Sequence, residues 1–549
     1  MNKFVSIILL SSIVSTHLFA VERSYTDAKN VALNLANKLQ PNVHFKIDDS
    51  VIDKSFRAKK LGNISKEKAY QIIKLKPRGW VIVSNDDMAK PILGYNLKKK
   101  FTNENISPAF IIWANGIDNE IKVKKSNRSK KSLKLSGESN GLYKSKWDKL
   151  SQDPSIYKEN RLYTKSGVVS AEKLPIMSDI QWGQWSPYNR YTPNNNLVGC
   201  SATAMVQIMA YHKWPTRGWG SYSYTHPEYG VIKEDFDNFY NWYGMGDLDK
   251  ALISYHVGVT MNMNYSASVS TAWPSTERMR IHFGYKMSNF EEKVSFTDAQ
   301  WDAKIQSSLD NNRPIWYTGF TDVSGHAFVL DGYRYDETSK MYHVNFGWTG
   351  SSDGWYALSS LNGFSENNSA IFDIRPNGEP HYGRTPQVSI YNPETKRYLL
   401  SAGSVVSSPE LGWLKSPAVV GADANYYDRG TWTMIPHGDG YRIKNIDTKR
   451  YLFSKGSETN FNESGWSKKT PRIVGTDIDY YGIGQWKLER IGKYNNTFKI
   501  QNIATGRYLF QSGKKVTKSE GGWLNSPDVL GLGSYSNFYH RASWQIMFK

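Results

Sequence analysis

Gly199 and the chain's one cysteine, Cys200, stand at the head of an apolar run that ends near Tyr211 in a chain of 549 residues. Apolar residues from Ala202 to Met209 go all round a helical wheel, which predicts a helix buried in a domain core with Cys200 on its first turn. Backbone amides without helical partners and the positive end of the helix dipole favour the thiolate there, the nucleophilic form of cysteine. The other reading of a lone cysteine is a small structural core residue.

A thiol nucleophile needs a base, and histidine is the side chain whose ordinary pKa suits neutral pH. Of eleven histidines, His212 shares the helix but lies 212 − 200 = 12 residues on, about 18 Å away, and is out of reach. His17 leaves with a signal peptide, His44 belongs to an N-terminal unit, and His381, His437 and His540 lie at or in a repeat region. His226, His256, His282, His326 and His343 remain. His326 follows Ser324-Gly325 and precedes an apolar strand, which puts its ring at a strand mouth. The next predicted strand returns through Asp336 to Lys340, so Asn345 to Trp348 come back beside His326 and Asn345 is placed to orient the imidazole. A buried, hydrogen-bonded histidine is the alternative.

Met1 to Ala20 carries Lys3, the apolar run Phe4 to Leu10 and small residues ending at Ala20, the pattern of a secretory signal peptide. No later segment approaches the roughly 20 apolar residues of a membrane span, so the protein is expected to be secreted, without a transmembrane anchor. In an exported chain an unpaired cysteine points to a reactive thiol or an intermolecular bridge. Lys+Arg at 69 against Asp+Glu at 50 gives +19, but the lysines condense only in Lys122 to Lys134, which reads as a solvated linker. That scatter argues against a nucleic-acid partner.

Four segments are expected: a signal peptide over 1–20, a propeptide over 21–165 with its basic linker near 122–134, a central domain over 166–378 and a repeat domain over 385–549. The N-terminal unit is predicted to hold helices over Asp27 to Leu39 and Lys66 to Leu75 and a strand Trp80 to Ser84, ending near Asn119, with a polar tether to Ser166. An exported chain with such a unit ahead of a candidate nucleophile has the layout of a zymogen. Downstream, Trp214 to Tyr243 reads as a loop, Asp247 to Val257 and Thr297 to Leu309 as helices, and Pro314 to Phe320, His326 to Tyr333 and Met341 to Trp348 as strands.

A repeat begins after Gly378. Lys396-Arg397-Tyr398-Leu399 recurs as Lys449-Arg450-Tyr451-Leu452 and Gly506-Arg507-Tyr508-Leu509, at spacings of 450 − 397 = 53 and 507 − 450 = 57. Each copy is followed by a Gly-Trp pair (Gly412-Trp413, Gly465-Trp466, Gly522-Trp523) and closes on a tryptophan strand at Trp432, Trp486 or Trp544. Each unit has room for about four short strands, and three such units predict a β-trefoil with the repeated Tyr and Leu in its core.

Gln184-Trp185-Ser186-Pro187-Tyr188-Asn189, Gly199 to Ala204, Gly325 to Gly332 and His343-Val344-Asn345-Phe346-Gly347-Trp348 resemble, in order, the motifs of the streptopain family, secreted bacterial cysteine proteases with a papain-like fold. The resemblance runs from about Trp80 to Pro376, and Gly79 to Ser84 with Pro91 to Tyr95 is similar to the family's inhibitory propeptide. It implies that Cys200 is the nucleophile, His326 the general base and acid, and Gln184 an oxyanion donor together with the Cys200 amide, as a tetrahedral intermediate requires. It gives Asn345 a lesser part beside a Cys-His dyad. Phe346 stands where the family often has Trp, and Trp348 matches; these two would form the aromatic cover of the histidine. It implies no cofactor and no metal, protein or peptide substrates, and a preference for a hydrophobic residue two before the cut.

The fold expected is therefore multidomain: an α+β papain-like cysteine protease domain, preceded by a small α+β propeptide and followed by an all-β trefoil. The trefoil lacks a Gln-x-Trp signature, since Gly430, Gly484 and Ala542 stand two residues before the closing tryptophans. A targeting role toward glycans or a surface protein is the expectation for it. The rivals are a lectin-like adhesin whose protease-like domain is inactive, and another acyl transfer, such as transglutamination, on the same dyad.

Overall fold

The computed structural model describes residues 22–49, 68–102, 106–131, 142–156, 171–320, 325–335, 340–357, 366–379, 385–405, 418–423, 428–458, 472–477, 484–515, 528–533 and 542–549. The expected signal peptide and the three Gly-Trp pairs lie outside them.

Helix α1 (Tyr25–Leu39) begins where Ser24 Oγ accepts from the Asp27 amide while the Asp27 carboxylate accepts from the Ser24 amide, a reciprocal cap. Its Val31, Leu35 and Ala36 pack on a sheet of β1 (Lys46–Ile47), β2 (Tyr70–Lys76), β3 (Trp80–Ser84) and β4 (Ile92–Asn96). The helix expected from Lys66 to Leu75 is thus a strand from Tyr70 on. Ile72 and Ile73 are β-branched and pair opposite Ile82 and Val81, a buried strand that single-sequence periodicity does not separate from a helix.

Two further helices correct the expected linker and tether. Helix α2 (Pro108–Lys131) carries the basic run as far as Lys131, because Ile117 and Ile121 are buried and Lys122 bonds Asp118 one turn back at 2.8 Å. In α3 (Leu142–Leu150), Trp147 is fully buried and donates to the Ala89 carbonyl, while Asn34 of α1 donates to the Leu150 carbonyl. The N-terminal unit therefore extends well past Asn119.

The central unit comprises β5 (Ala171–Lys173), α4 (Cys200–His212), β6 (Ser221–His226), β7 (Gly230–Asp235), α5 (Asp247–Thr260), α6 (Thr276–Phe283), β8 (Tyr285–Lys286), β9 (Glu291–Glu292), α7 (Asp298–Asp310), β10 (Ile315–Phe320), β11 (Gly325–Tyr335), β12 (Lys340–Asn345), β13 (Gly354–Tyr356), β14 (Glu366–Ile371) and β15 (Arg375–Pro376). The β6–β7 hairpin occupies part of the stretch expected to be a loop. Strands pair in the order β13-β12-β11-β10-β14-β9, and alternate β11 residues face opposite cores. Ala327 and Val329 join the core of α4 and α5, whereas Phe328 and Leu330 join that of α2 and α7.

β4 pairs directly with β13, Tyr95 opposite Trp355 and Gly94 opposite Tyr356, so the N-terminal sheet continues the central one. Behind it, Trp113 of α2 meets Tyr356 at 4.8 Å between ring centroids.

The C-terminal strands are β16 (Gln387–Asn392), β17 (Arg397–Val405), β18 (Ala418–Asp423), β19 (Thr431–His437), β20 (Gly440–Asn445), β21 (Tyr451–Glu458), β22 (Arg472–Asp477), β23 (Gln485–Arg490), β24 (Thr497–Asn502), β25 (Arg507–Lys515), β26 (Asp528–Gly533) and β27 (Ser543–Phe548). β16, β19, β20, β23, β24 and β27 pair in a ring as a closed six-stranded barrel. The hairpins β17–β18, β21–β22 and β25–β26 also pair with one another. Trp432, Trp486 and Trp544 donate their indole N–H to the carbonyls of Leu399, Leu452 and Leu509, one equivalent bond per repeat. Those leucines are fully buried, whereas Tyr398, Tyr451 and Tyr508 are only half-buried.

The barrel and the central unit share a core. Phe239, from the segment after β7, is fully buried among Tyr441, Phe498 and Phe548. Its amide donates to Asn496 Oδ1 and its carbonyl accepts from Arg490, whose guanidinium also pairs with Asp249.

Candidate active site

Cys200 is the first residue of α4 because Gly199 turns the chain with φ +89°, a conformation an L side chain rarely adopts. A Cβ at Gly199 would also lie 2.6 Å from Met263 Sδ and 3.1 Å from the Ser270 carbonyl. The helix start is anchored at its next residue: Ser201 Oγ donates to the Ala272 carbonyl and Trp316 Nε1 to the Ser201 carbonyl. Cys200 is thereby fixed against β10.

His326 is the second residue of β11 and is buried, and its imidazole shares a hydrogen bond with the Cys200 thiol. His326 Nε2 lies 3.1 Å from the Phe346 carbonyl. A carbonyl only accepts, so Nε2 carries a proton and Nδ1 is the nitrogen left for Cys200. Burial pushes the Cys200 thiol up, but the charge and hydrogen bond of His326, with the Ala327 and Ser201 amides, outweigh it, and the thiol falls below its ordinary value. Burial pushes the imidazole down, but Cys200 and the Phe346 carbonyl carry it above its ordinary value. Both shifts favour a thiolate–imidazolium pair.

The other candidate histidines are engaged elsewhere. His226 Nδ1 accepts from the Glu228 and Tyr229 amides, His256 bonds Tyr240 Oη, His282 bonds the Trp219 carbonyl, and His343 bonds Asp331 at 2.6 Å. His212 closes α4 and bonds the Ile374 carbonyl.

Asn345 does not touch His326. Its Nδ2 donates to the Ile180 carbonyl at 2.7 Å and its Oδ1 accepts from the Gly347 amide at 3.0 Å. The reason is register: Asn345 pairs opposite Val329, three residues along β11 from the histidine. The Phe346 carbonyl, which bonds His326, and the Gly347 amide, which bonds Asn345, belong to one peptide unit, so Asn345 fixes the group that holds the ring.

Phe346 is not a cover over the histidine either. Its ring is fully buried against Phe328 and Tyr356, and it is the Phe346 backbone carbonyl that meets His326. Trp348 is nearly buried and stands edge-on to Trp185, their ring centroids 4.1 Å apart.

Gln184 is buried beside the segment leading to Cys200: its carbonyl accepts from the Val198 amide at 2.9 Å, two residues before the cysteine. Its loop is tied on two sides. The Trp182 amide donates to Gln207 Oε1 of α4, and the Trp182 carbonyl accepts from the Thr349 amide on the histidine side. Asp353, Trp185 and Gln207 were not singled out by sequence reasoning. The turn composition of Ser351 to Gly354 is the one signal that could have pointed to the first.

Two family models match the chain: the Peptidase C10 family over residues 182–356, and the Spi protease inhibitor over residues 21–121. The chain carries a Peptidase C10 domain of the streptopain family. It is 29% identical over 369 residues to streptopain of Streptococcus pyogenes, covering 57% of this chain and 82% of the relative. It is 28% identical over 353 residues to the thiol protease/hemagglutinin PrtT of Porphyromonas gingivalis, covering 57% of this chain and 38% of that one. A solved fragment of Prevotella intermedia prointerpain A is similar at 26% identity and a TM-score of 0.43, over 58% of this chain and 98% of the fragment. The C10 domain makes the chain a cysteine protease, and the Spi-type domain ahead of it is a propeptide inhibitor. Among the described residues no helix is long and apolar enough to cross a membrane.

Proposed function

We propose that this C10 protease is a secreted endopeptidase made as a precursor, with a signal peptide over 1–20, a propeptide over 21–165, a catalytic domain over 166–378 and a β-trefoil over 385–549. Cys200 is its nucleophile and His326 its general base and acid. The observation that carries this reading is the Cys200–His326 hydrogen bond at a helix start, with both groups shifted toward the ion pair.

In the reaction, the Cys200 thiolate attacks the substrate carbonyl carbon, a C–S bond forms and the carbonyl oxygen takes the negative charge. Gln184 and the Cys200 amide donate to that oxyanion. The intermediate collapses with cleavage of the C–N bond as His326 Nδ1 gives its proton to the leaving amine. A water, deprotonated by His326, then attacks the thioester; the carboxylic product leaves and the thiolate returns. Asn345 positions the 346–347 peptide, and Trp185, next to Gln184 in the chain, stands edge-on to Trp348.

The test compares purified protein on an unfolded protein substrate, with and without a thiol-directed inhibitor, against Cys200→Ser. Loss of cleavage in both arms is expected; full activity of the serine variant overturns the mechanism.

The closed six-stranded barrel with three mutually paired hairpins, four strands per repeat, supports the trefoil reading. A glycan or surface-protein ligand remains our reading of what it binds, and glycan binding without proteolysis after removal of the N-terminal domain would favour the adhesin instead.

A further inference from the structure

The carbonyl that holds His326 is itself held. The Phe346 amide donates to Asp353 Oδ1 at 2.9 Å, and the next amide, Gly347, donates to Asn345 Oδ1 at 3.0 Å. With the peptides on both sides of Phe346 anchored, the direction of its carbonyl toward His326 Nε2 is set. We propose that Asp353 is a positioning residue for His326, acting through the Phe346 backbone, and that its ionised form is the one that supports the reaction. This rests on the Cys200–His326 reading above.

A neutral side chain would suffice if the turn needed only an acceptor. Asp353 instead puts a carboxyl in a buried position at the start of β13, where desolvation pushes it up to about 6 against the Phe346 amide that favours the carboxylate. The Phe346 amide that donates to Asp353 and the Phe346 carbonyl that bonds His326 lie on either side of one Cα, so the carboxyl acts on the ring by holding the Phe346 backbone in place. An ionised carboxylate is a stronger acceptor for the Phe346 amide than a neutral carboxyl, so ionisation tightens the anchor that aims the Phe346 carbonyl at His326.

Among the described residues, Lys99, from the segment after β4, His343 of β12, Asp331 of β11 and Tyr356 of β13 face Asp353. Lys99 and His343 favour the carboxylate and Asp331 opposes it, while His343 and Asp331 bond each other. Two contacts come from the propeptide. Asn96 donates to the Asp353 carbonyl at 2.8 Å and Lys99 to the Gly350 carbonyl at 3.1 Å, so the inhibitor domain lies on the same turn.

The experiment uses Asp353→Asn, of the same shape, and Asp353→Ala in the full-length chain. Alkylation of Cys200 by iodoacetamide is followed against pH in the precursor, and kcat and KM in the processed enzyme, with His326→Ala alongside. Near neutral pH, alkylation should fall about threefold in Asp353→Asn and about tenfold in Asp353→Ala, with the alkaline plateau kept. kcat should fall with KM unchanged, and the acid limb of kcat should change in Asp353→Asn.

Wild-type alkylation and kcat in both variants overturn the proposal. So does a lowered urea midpoint whose folded fraction still alkylates like wild type, since that is a structural role only. If His326→Ala itself leaves the alkylation profile unchanged, the Cys-His reading has failed instead.

Discussion

Arg490 of the barrel and Asp249 of α5 form an ion pair at 2.8 Å with both side chains only 1% exposed. Burial pushes the Asp249 carboxyl above its ordinary value despite Arg490, the Gly246 amide and Asn241. Around the pair, Phe239 is inserted in the barrel core and Lys493 bonds Glu234 at 2.6 Å. A barrel held this way is structurally part of the protease unit as well as a candidate binding module.

Removing one partner of a buried ion pair leaves the other charge uncompensated, which costs about 3–5 kcal/mol. Arg490→Ala is therefore expected to lower the urea midpoint of the protease unit, read by tryptophan fluorescence. Truncation after residue 378 would expose Phe239 and Asp249 together and should be more damaging. A truncated chain as stable as the whole protein would contradict this account of the junction.

The thiol of Cys200 is lowered and the imidazole of His326 raised, so the thiolate–imidazolium pair occupies a pH window wider than free side chains would give. Alkylation of Cys200 should already be fast at neutral pH and fall only toward acid, as the thiolate takes a proton. In His326→Ala burial acts unopposed by the imidazolium, so the rate near neutrality should drop by about tenfold or more and recover only above about pH 9. An unchanged profile would count against the dyad.

Gly199→Ala should damage the site without altering a reacting group. The substitution forces an L residue to φ +89° and its Cβ against Met263 Sδ, while the Gly199–Cys200 peptide supplies the proposed oxyanion amide. About 2 kcal/mol or more of lost stability and at least a tenfold lower kcat are expected, from thermal unfolding and steady-state kinetics. A variant with wild-type kcat would show that the turn tolerates displacement.

Much of this arrangement is visible in residue order. The buried wheel of α4 with a glycine before Cys200, and the returning strands that bring residues 345–348 back toward His326, need only periodicity and turn signals. The threefold repeat likewise announces a four-strand unit. Other contacts leave no such trace. The acceptor on His326 is the Phe346 backbone carbonyl, which any residue type could supply, and Asp353 acts through an amide, so neither has a side-chain signature. Phe239 is one aromatic among many between Trp214 and Tyr243, and only its packing in the barrel core distinguishes it. Lys66 to Leu75 misled because a doubly buried strand alternates too weakly to be told from a helix until β3 pairs with it.

The junction between β4 and β13 gives a way to separate inhibition from catalysis. Gly94 pairs opposite Tyr356, and a Cβ there would lie 2.9 Å from Tyr356 Cδ1 and 3.2 Å from the Trp355 carbonyl. Gly94→Val should push β4 off β13 and loosen the propeptide, so the full-length precursor should mature several-fold faster on a gel time course, by roughly 1 kcal/mol of lost docking. Lys99→Ala removes the bond to the Gly350 carbonyl together with the charge that faces Asp353, and should act in the same direction with a smaller effect. Because the propeptide is absent from the mature enzyme, processed protein from either variant should have wild-type kcat and KM. Maturation at the wild-type rate in Gly94→Val would mean that the continuous sheet does not restrain the precursor, and a changed kcat after processing would mean that the propeptide is needed to fold the catalytic turn correctly.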